Sequence, residues 1–308
     1  KACALNHLDL WVRRGLPGIE FQFPHILGND VSGVVKEVGE GVANVTLGDR
    51  VLVSPGVSCM HCEQCLSGHD NLCRFYHIVG YARPGGYAEY LNVPSVNVLP
   101  IPGDLSFVDA AAIPLVFLTA WHMLVTRARL KPGETVLVHA AGSGVGSAAI
   151  QIGKLLNARV LATASTEEKL AKAKDLGADE VINYVEQDFA AEARRLTGKR
   201  GVDVVVEHTG VSTWEKSVLS LSTNGRLVTC GATTGYKANM DLRHLFARHL
   251  NVLGSYMGAK HELLEVLKFF ASGQLRAVVD RSMPLTEAAA AHRALEDRNQ
   301  FGKVVLIP

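Results

Sequence analysis

The sequence predicts an α/β protein: a doubly wound parallel sheet preceded by a β-rich domain. Three observations carry that prediction. Gly-punctuated, β-branched runs fill the first hundred residues, apolar strand candidates alternate with helical segments from Glu134 onward, and a glycine loop joins the first of those strands to the first of those helices. At 308 residues, 48% of them hydrophobic, the chain exceeds what one core usually serves, so two domains are expected. Their divisions fall at 1–118, 119–256 and 257–308, the last stretch returning to the first domain. A formal net charge of +1 gives no electrostatic footprint for nucleic acid or an anionic membrane. No apolar run is long enough to span a bilayer. The expected partner is a small-molecule substrate.

The chain begins at Lys1, and "KACALNHLDLWV" already has the character of ordered protein. A missing N-terminal segment is therefore expected, and a cleaved targeting segment stays open. Residues 26–53 place Gly39, Gly41 and Gly48 between Val-rich pieces, the signature of short strands and tight turns. "GGYAEYLNVP" continues that pattern.

Between these lies "SCMHCEQCLSGHDNLCRF", with Cys59, Cys62, Cys65 and Cys73 spaced C-x2-C-x2-C-x7-C. Such spacing lets one loop wrap four thiolates around a tetrahedral ion. Four thiolates fill zinc's coordination sphere and leave no place for water or substrate, so a site of this kind is structural. Two disulfides or free thiols are the alternatives. Six cysteines in 308 residues are too sparse for a disulfide scaffold, which favours zinc and a reducing, cytoplasmic home. His61 and His69 are expected to be surface bystanders, and Cys230 a buried strand residue. The lobe has almost no apolar core, so the metal would supply most of its order.

From Glu134 the strand candidates are "TVLVHA", "RVLATA", "EVIN", "VDVVVE", "RLVTCG" and "NVLGS". "SAAIQIGKLLN" and "EEKLAKAKDL" are helical, and Ser165 with Glu168 suggests a capping box for the second. "HELLEVLKFFASG" and "TEAAAAHRALEDR" are later helices, and "KVVLIP" is a closing strand. In "AAGSGVG", Gly142, Ser143, Gly144, Val145 and Gly146 form a loop that lets the backbone approach a pyrophosphate at a helix N-terminus. The spacing departs from a strict G-x-G-x-x-G, since Ala141, Ser143 and Gly146 hold the corresponding slots. The second strand ends in Ala164 and Ser165 where an NAD-preferring site has an acid. Ser165, Thr166 and Lys169 would instead suit a 2′-phosphate; Lys169 as a solvated helix lysine is the plainer alternative. Thr209 and His208 follow the fourth strand, where ligands of such sheets lie. Thr209 is taken as a cofactor contact, while a loop histidine there need not be catalytic.

The segments "GVVKEVGEGVANVTLGDRV", the cysteine loop, "LTAW", "AAGSGVG" and "GKVVL" together resemble the zinc-type medium-chain dehydrogenase/reductase superfamily, over essentially the whole chain. The resemblance implies a GroES-like catalytic domain, a Rossmann domain, a structural zinc on the four cysteines, and dimers or tetramers formed through the nucleotide domain. It also implies an earlier start than Lys1. The family's alcohol dehydrogenases hold a second, catalytic zinc on residues whose slots here carry Asn6, Asn29 and Leu115, and Leu8 replaces a relay hydroxyl. None of these is a thiolate, imidazole or carboxylate, so that site looks abandoned. "ALNHLDLWVRRG" instead resembles the quinone oxidoreductase branch through Asn6, Asp9, Trp11, Arg13 and Gly15. Lys169 and Tyr184 match positions that touch the NADPH 2′-phosphate there, Thr119 resembles a Thr near the nicotinamide, and His7 is assigned to the pyrophosphate. The cysteine lobe is the departure from that branch.

The expected function is therefore NADP(H)-preferring reduction of a quinone or conjugated carbonyl without catalytic zinc, NAD(H) remaining possible. Asn6, and secondarily Asn29, would hydrogen-bond the developing oxyanion; both also suit simple satisfaction of backbone groups. Asp9 and Arg13, four apart, are expected to form an internal ion pair. Two other functions compete: an alcohol dehydrogenase with a shifted metal on Cys3, His7 or His25, and a zinc-stabilised nucleotide-binding protein without turnover.

Overall fold

The computed structural model describes residues 1–16 and 18–308. The chain forms two compact units, Lys1–Leu118 with Ala259–Pro308, and Thr119–Gly258. In chain order the strands are β1 (Ala2–Ala4), β2 (Asp30–Val34), β3 (Arg50–Val53), β4 (Gly56–Val57), β5 (His77–Ile78), β6 (Val98–Pro100) and β7 (Thr135–Val138). They continue with β8 (Arg159–Ala164), β9 (Glu180–Asn183), β10 (Val202–Glu207), β11 (Leu221–Thr229), β12 (Asn251–Gly254), β13 (Val279–Pro284) and β14 (Lys303–Ile307).

The first unit is built on a six-stranded sheet of order β13-β14-β1-β2-β3-β6. The last strand thus inserts beside the first, with Cys3 opposite Leu306 in an antiparallel pair. Helices His7–Arg14 and Ala288–Glu296 cover this seam through Leu10, Ala291 and Leu295, packed on Leu5, Val304 and Leu306. Each such burial contributes roughly 1.5–3 kcal/mol for a full-sized apolar side chain. The helix His7–Arg14 stands out in a region expected to be mostly β: Asn6 takes the N-cap position, and the Asp9 side chain accepts the Asn6 N–H at 2.8 Å.

"GGYAEYLNVP" is not a strand. Gly85, Gly86 and Tyr87 donate their N–H groups to the carbonyls of Ile26, Gly28 and Leu27. This backbone-on-backbone strap admits no side chain: a Cβ on Gly85 would meet the Gly28 oxygen at 2.3 Å.

The second unit's sheet runs β12-β11-β10-β7-β8-β9, parallel throughout. All six strand candidates from Glu134 onward are present. The order reverses between β7 and β10, the point at which such sheets receive ligands. Leu137, Leu161, Ile182, Val205 and Leu227 form one core face, sealed by Phe189, Ala193 and Val218 from the helices Phe189–Leu196 and Val211–Ser220. The helix Glu167–Asp175 is capped by Thr166, whose hydroxyl accepts the Lys169 N–H, and not by Ser165. Ser165 still follows β8 directly, so the cap moves one residue on. Among the described residues no helix is long and apolar enough to cross a membrane.

Candidate functional site

Three polar clusters stand out. The first is the cysteine lobe, a short helix Glu63–Leu66 and a turn Asp70–Leu72 between β4 and β5. The Sγ atoms of Cys59, Cys62, Cys65 and Cys73 lie within 4.8 Å of one another, with Cys59–Cys65 at 3.9 Å and Cys62–Cys65 at 3.5 Å. Zinc–sulfur bonds of about 2.3 Å in a tetrahedron need sulfurs a little under 4 Å apart, so the donor set fits a zinc ion. Cys59 and Phe75 aim their backbone N–H groups at Cys73 Sγ, as suits a thiolate. The His61 and Cys62 backbones draw the Cys59 thiol down to about 6, while burial and the Cys62 thiol push Cys65 up to about 11. Four thiols this close cannot all ionise without a cation. His61 contacts the Cys59 carbonyl and His69 contacts Ser67, both outside the ligand set. Asp70 anchors the lobe by accepting the Lys260 N–H at 2.8 Å.

The second cluster lies just past the end of β1 and at the starts of β2 and β14. Asn6 Nδ2 donates to Asn29 Oδ1 at 3.1 Å and to Asp30 Oδ2 at 2.9 Å. Lys303 Nζ donates to Asn6 Oδ1 at 2.5 Å and to Asp30 Oδ2 at 2.9 Å. Asn29 Nδ2 donates to the Val79 carbonyl, and Asp30 Oδ1 accepts the Leu115 N–H. Lys303 is 4% exposed and Asp30 fully buried. Both hydrogens of the Asn6 amide are thus spent, and its oxygen holds an ammonium. Asp9 accepts Asn6 N and Gly28 N, and burial raises it to about 6 against the pull of those N–H groups and Lys303. Asp9 does not pair with Arg13. Arg13 reaches Glu296 and His292 instead, because Asp9 points into the core and Arg13 outward.

Cys3, His7 and His25 do not converge. Cys3 is buried under Gly28 and Gly86, His7 lies against Trp11, and His25 meets the Gly80 carbonyl. Among the described residues the four cysteines are the one convergent group of three or more His, Cys, Asp or Glu ligands.

The third cluster is the carboxyl edge of the second sheet. Ser143 caps the helix Gly144–Leu155 by accepting the Gly146 N–H at 2.9 Å, and a Cβ on Gly146 would meet the Ala140 oxygen at 2.3 Å. Gly142 is buried, whereas Ser143, Gly144 and Val145 are partly exposed at the loop surface. Tyr184 N donates to the Ala164 carbonyl, which sets Tyr184 beside Ser165, and Lys169 lies one turn into the following helix. At the end of β10, Glu207 accepts the N–H groups of Thr209 and Gly210 and the hydroxyls of Thr213 and Ser217. Burial would raise Glu207, but these donors hold it below the usual carboxylate range. His139 itself is pushed down to about 4 by burial. His208 Nε2 meets the His139 carbonyl, a contact that ties the loops after β7 and β10 together.

Thr119 adds a fit test for a nucleotide cofactor. Its hydroxyl is buried without a partner, the kind of group a carboxamide would satisfy. A π-helical segment, His122–Arg127, begins three residues later. With the glycine loop and the capped helix, these residues fit a dinucleotide.

Asp30, Lys303, His139 and Glu207 were not singled out from the sequence. The one available signal for Lys303 is a charge at the head of the apolar run "KVVLIP"; the other three have none that distinguishes them.

Two family models match the chain: an alcohol dehydrogenase GroES-like domain over residues 1–103 and a zinc-binding dehydrogenase over residues 144–272. An alcohol dehydrogenase of Geobacillus stearothermophilus is 35% identical over 91% of this chain and 82% of its own length. A 2-haloacrylate reductase of Burkholderia sp is 32% identical over all of this chain and 89% of its own. Quinone oxidoreductase 1 of Escherichia coli is 31% identical over all of this chain and 89% of its own. A solved NAD-dependent alcohol dehydrogenase superposes with a TM-score of 0.97 at 51% identity, covering all of this chain and 90% of that one. With its GroES-like domain, its parallel nucleotide-type sheet and its four-cysteine cluster, the chain belongs to the medium-chain dehydrogenase/reductase superfamily of NAD(P)-dependent oxidoreductases.

Proposed function

We propose that this protein reduces a quinone or a conjugated carbonyl with NADPH, using one structural zinc and no catalytic metal. One observation carries the reading: the Asn6–Asn29–Asp30 cluster already contains its cation. Lys303 Nζ is bonded to Asn6 and Asp30, so a zinc ion there would face a buried ammonium, neutral amides and one carboxylate already engaged by that ammonium, with no thiolate or imidazole.

The bound nicotinamide would supply a hydride. An acceptor conjugated to its own oxygen delocalises the incoming charge without Lewis-acid help. Asn6 is the group assigned to that oxygen, with Asn29 behind it. An arriving carbonyl would take the Asn6 N–H now turned to Asn29, the longer of its two bonds, and leave the bond to Asp30 in place. The ammonium on Asn6 Oδ1 polarises the amide and strengthens its remaining donor. Gly142 to Gly146 and Thr209 would hold the pyrophosphate side of the cofactor, Thr119 its carboxamide, and Ser165, Lys169 and Tyr184 its 2′-phosphate.

Alcohol oxidation with NAD is the second reading, favoured by the 51% identity to the solved NAD-dependent alcohol dehydrogenase. Metal counting beside a substrate panel separates the two. About one zinc per subunit and NADPH oxidation by quinones or enones support the first. Two zincs per subunit, or alcohol oxidation lost on mild chelation, overturn it. As to assembly, a second copy is the expected partner, laid over the open edge of β12, where Val252 is exposed after a helix that exposes Leu242 and Phe246. Light scattering that finds a monomer at micromolar concentration would refute that.

A further inference from the structure

Asp9 is fully buried and clamps two backbone N–H groups at once, Asn6 through Oδ2 and Gly28 through Oδ1. Those bonds fix Asn6 itself and the residue preceding Asn29. Tyr87 stands near enough for burial and then the Asp9 carboxylate to push its hydroxyl well above the usual phenol range. The Tyr87 ring presses on the same turn: a Cβ on Gly28 would lie 2.5 Å from it, and Gly28 has φ +101°. Behind Tyr87 stands buried His292, with Nε2 at 3.2 Å from the Tyr87 oxygen and the rings edge to face at 5.8 Å. Arg13 Nη1 lies 3.1 Å from His292 Nδ1, and Arg13 is itself paired to Glu296.

The direction of this chain follows from donor chemistry. Arginine has only N–H groups to give, so His292 Nδ1 must present its lone pair. A neutral imidazole with a bare Nδ1 carries its proton on Nε2, which therefore donates to the Tyr87 oxygen. The Tyr87 hydrogen is then left for the Asp9 carboxylate. We propose that Arg13, His292 and Tyr87 form a one-way donor relay onto Asp9, and that Asp9 and Tyr87 are positioning residues holding Asn6 and Asn29 for turnover. This rests on the assignment of Asn6 to the acceptor oxygen.

Burial and the Arg13 charge both lower His292, which keeps it in the neutral form the relay requires. The charged and titratable groups facing Asp9 are Lys303, Asp30, Cys3 and Tyr87, and Arg13 acts on Tyr87 behind them. Protonating Asp9 exchanges an acceptor for a donor, so one of its three incoming hydrogens loses its place. Turnover is then expected to fall on the acid side as pH passes through about 6, the value to which burial raises Asp9. A hydroxyl donated to a carboxylate favours the charged form, so removing it moves the acid limb to higher pH.

The test compares Tyr87→Phe, His292→Leu and Asn6→Ala in the zinc-loaded protein, with NADPH and a quinone. Tyr87→Phe is expected to lower kcat about tenfold and raise the acid limb by about half a pH unit or more, with NADPH affinity within about twofold. His292→Leu leaves the Tyr87 hydroxyl in place and moves the limb less, in the same direction; it carries the test if Tyr87→Phe does not fold. If Asn6→Ala lowers kcat but the limb stays put in the folded relay variants, the relay is overturned. If Asn6→Ala turns over at the parental rate, the assignment of Asn6 fails instead, whatever the limb does.

Discussion

The cysteine lobe and the Asn6–Lys303 cluster solve one electrostatic problem in opposite ways. Each gathers polar groups into little space within the first unit. The lobe brings four sulfurs within 4.8 Å and has no lysine or arginine among them, so it must import its positive charge. The second cluster carries its own, the Lys303 ammonium between Asn6 and Asp30. A cluster that imports its cation depends on metal supply for shape. A cluster that owns one has its place filled, and its chemistry must run through hydrogen bonds.

The largest effect should come from breaking the lobe. Cys65→Ser removes a buried ligand from a segment with almost no apolar core. Structural zinc sites supply on the order of 10 kcal/mol of binding energy to folding, so loss of the ion should melt the lobe. Zinc content should fall from about one per subunit to none, and Tm by about 10 °C or more. A variant that keeps its Tm and yields disulfides on mass analysis would show that the sulfurs bridge each other.

Next in size is Lys303→Met. It leaves the Asp30 carboxylate buried without a counter-charge, at a cost of roughly 3–5 kcal/mol in denaturant unfolding. Asp30→Asn in the same chain should recover much of that loss, because the amide needs no cation. If the single variant is as stable as the parent, the ammonium is not what holds the cluster, and the contrast with the lobe collapses.

The two clusters also differ in how far the sequence discloses them. Cys59 to Cys73 lie in one loop, so their spacing alone states the geometry. Lys303 is 273 residues from Asp30 and 297 from Asn6, and only the insertion of β14 beside β1 brings them together. The six parallel strands were legible because each is a short apolar run between turn signals. The helix His7–Arg14 was not, because its eight residues, though amphipathic, are too few to outweigh the β-rich neighbourhood. Its cap and its partners Tyr87 and His292 belong to tertiary packing, as does the strap at Gly85–Tyr87 that suppresses a strand where alternation suggested one.

The second unit supplies a buried network with no cation at all. His139 Nε2 meets Ser217 Oγ, which donates to Glu207, so the imidazole sits neutral against Thr163. Its value is lowered to about 4 from 6.5 in the unfolded chain. A depressed value means that the unfolded chain takes up the proton first. The stability this histidine contributes is present above about pH 6.5 and is lost as pH falls toward 4, up to about 3 kcal/mol. His139→Gln should flatten that slope in unfolding titrations. An unchanged slope would place the acid sensitivity elsewhere.

The smallest effect concerns the cation assigned to the cofactor's phosphate. Lys169 is partly exposed in the first turn of the helix after β8, near Ser165 and Tyr184, and no acid stands at the end of that strand. A ribose 2′-hydroxyl gains little from an ammonium, whereas a 2′-phosphate carries charge and three acceptor oxygens. Lys169→Ala is therefore expected to weaken NADPH about tenfold or more and NADH by less than about twofold, read by cofactor titration of the zinc-loaded protein. Its position beyond the Thr166 cap makes the substitution nearly neutral for the helix, so a folding defect would not imitate the result. Equal weakening of both cofactors would remove Lys169 from the phosphate, and a parent that binds NADH as tightly as NADPH would move the chain toward the alcohol-oxidising reading.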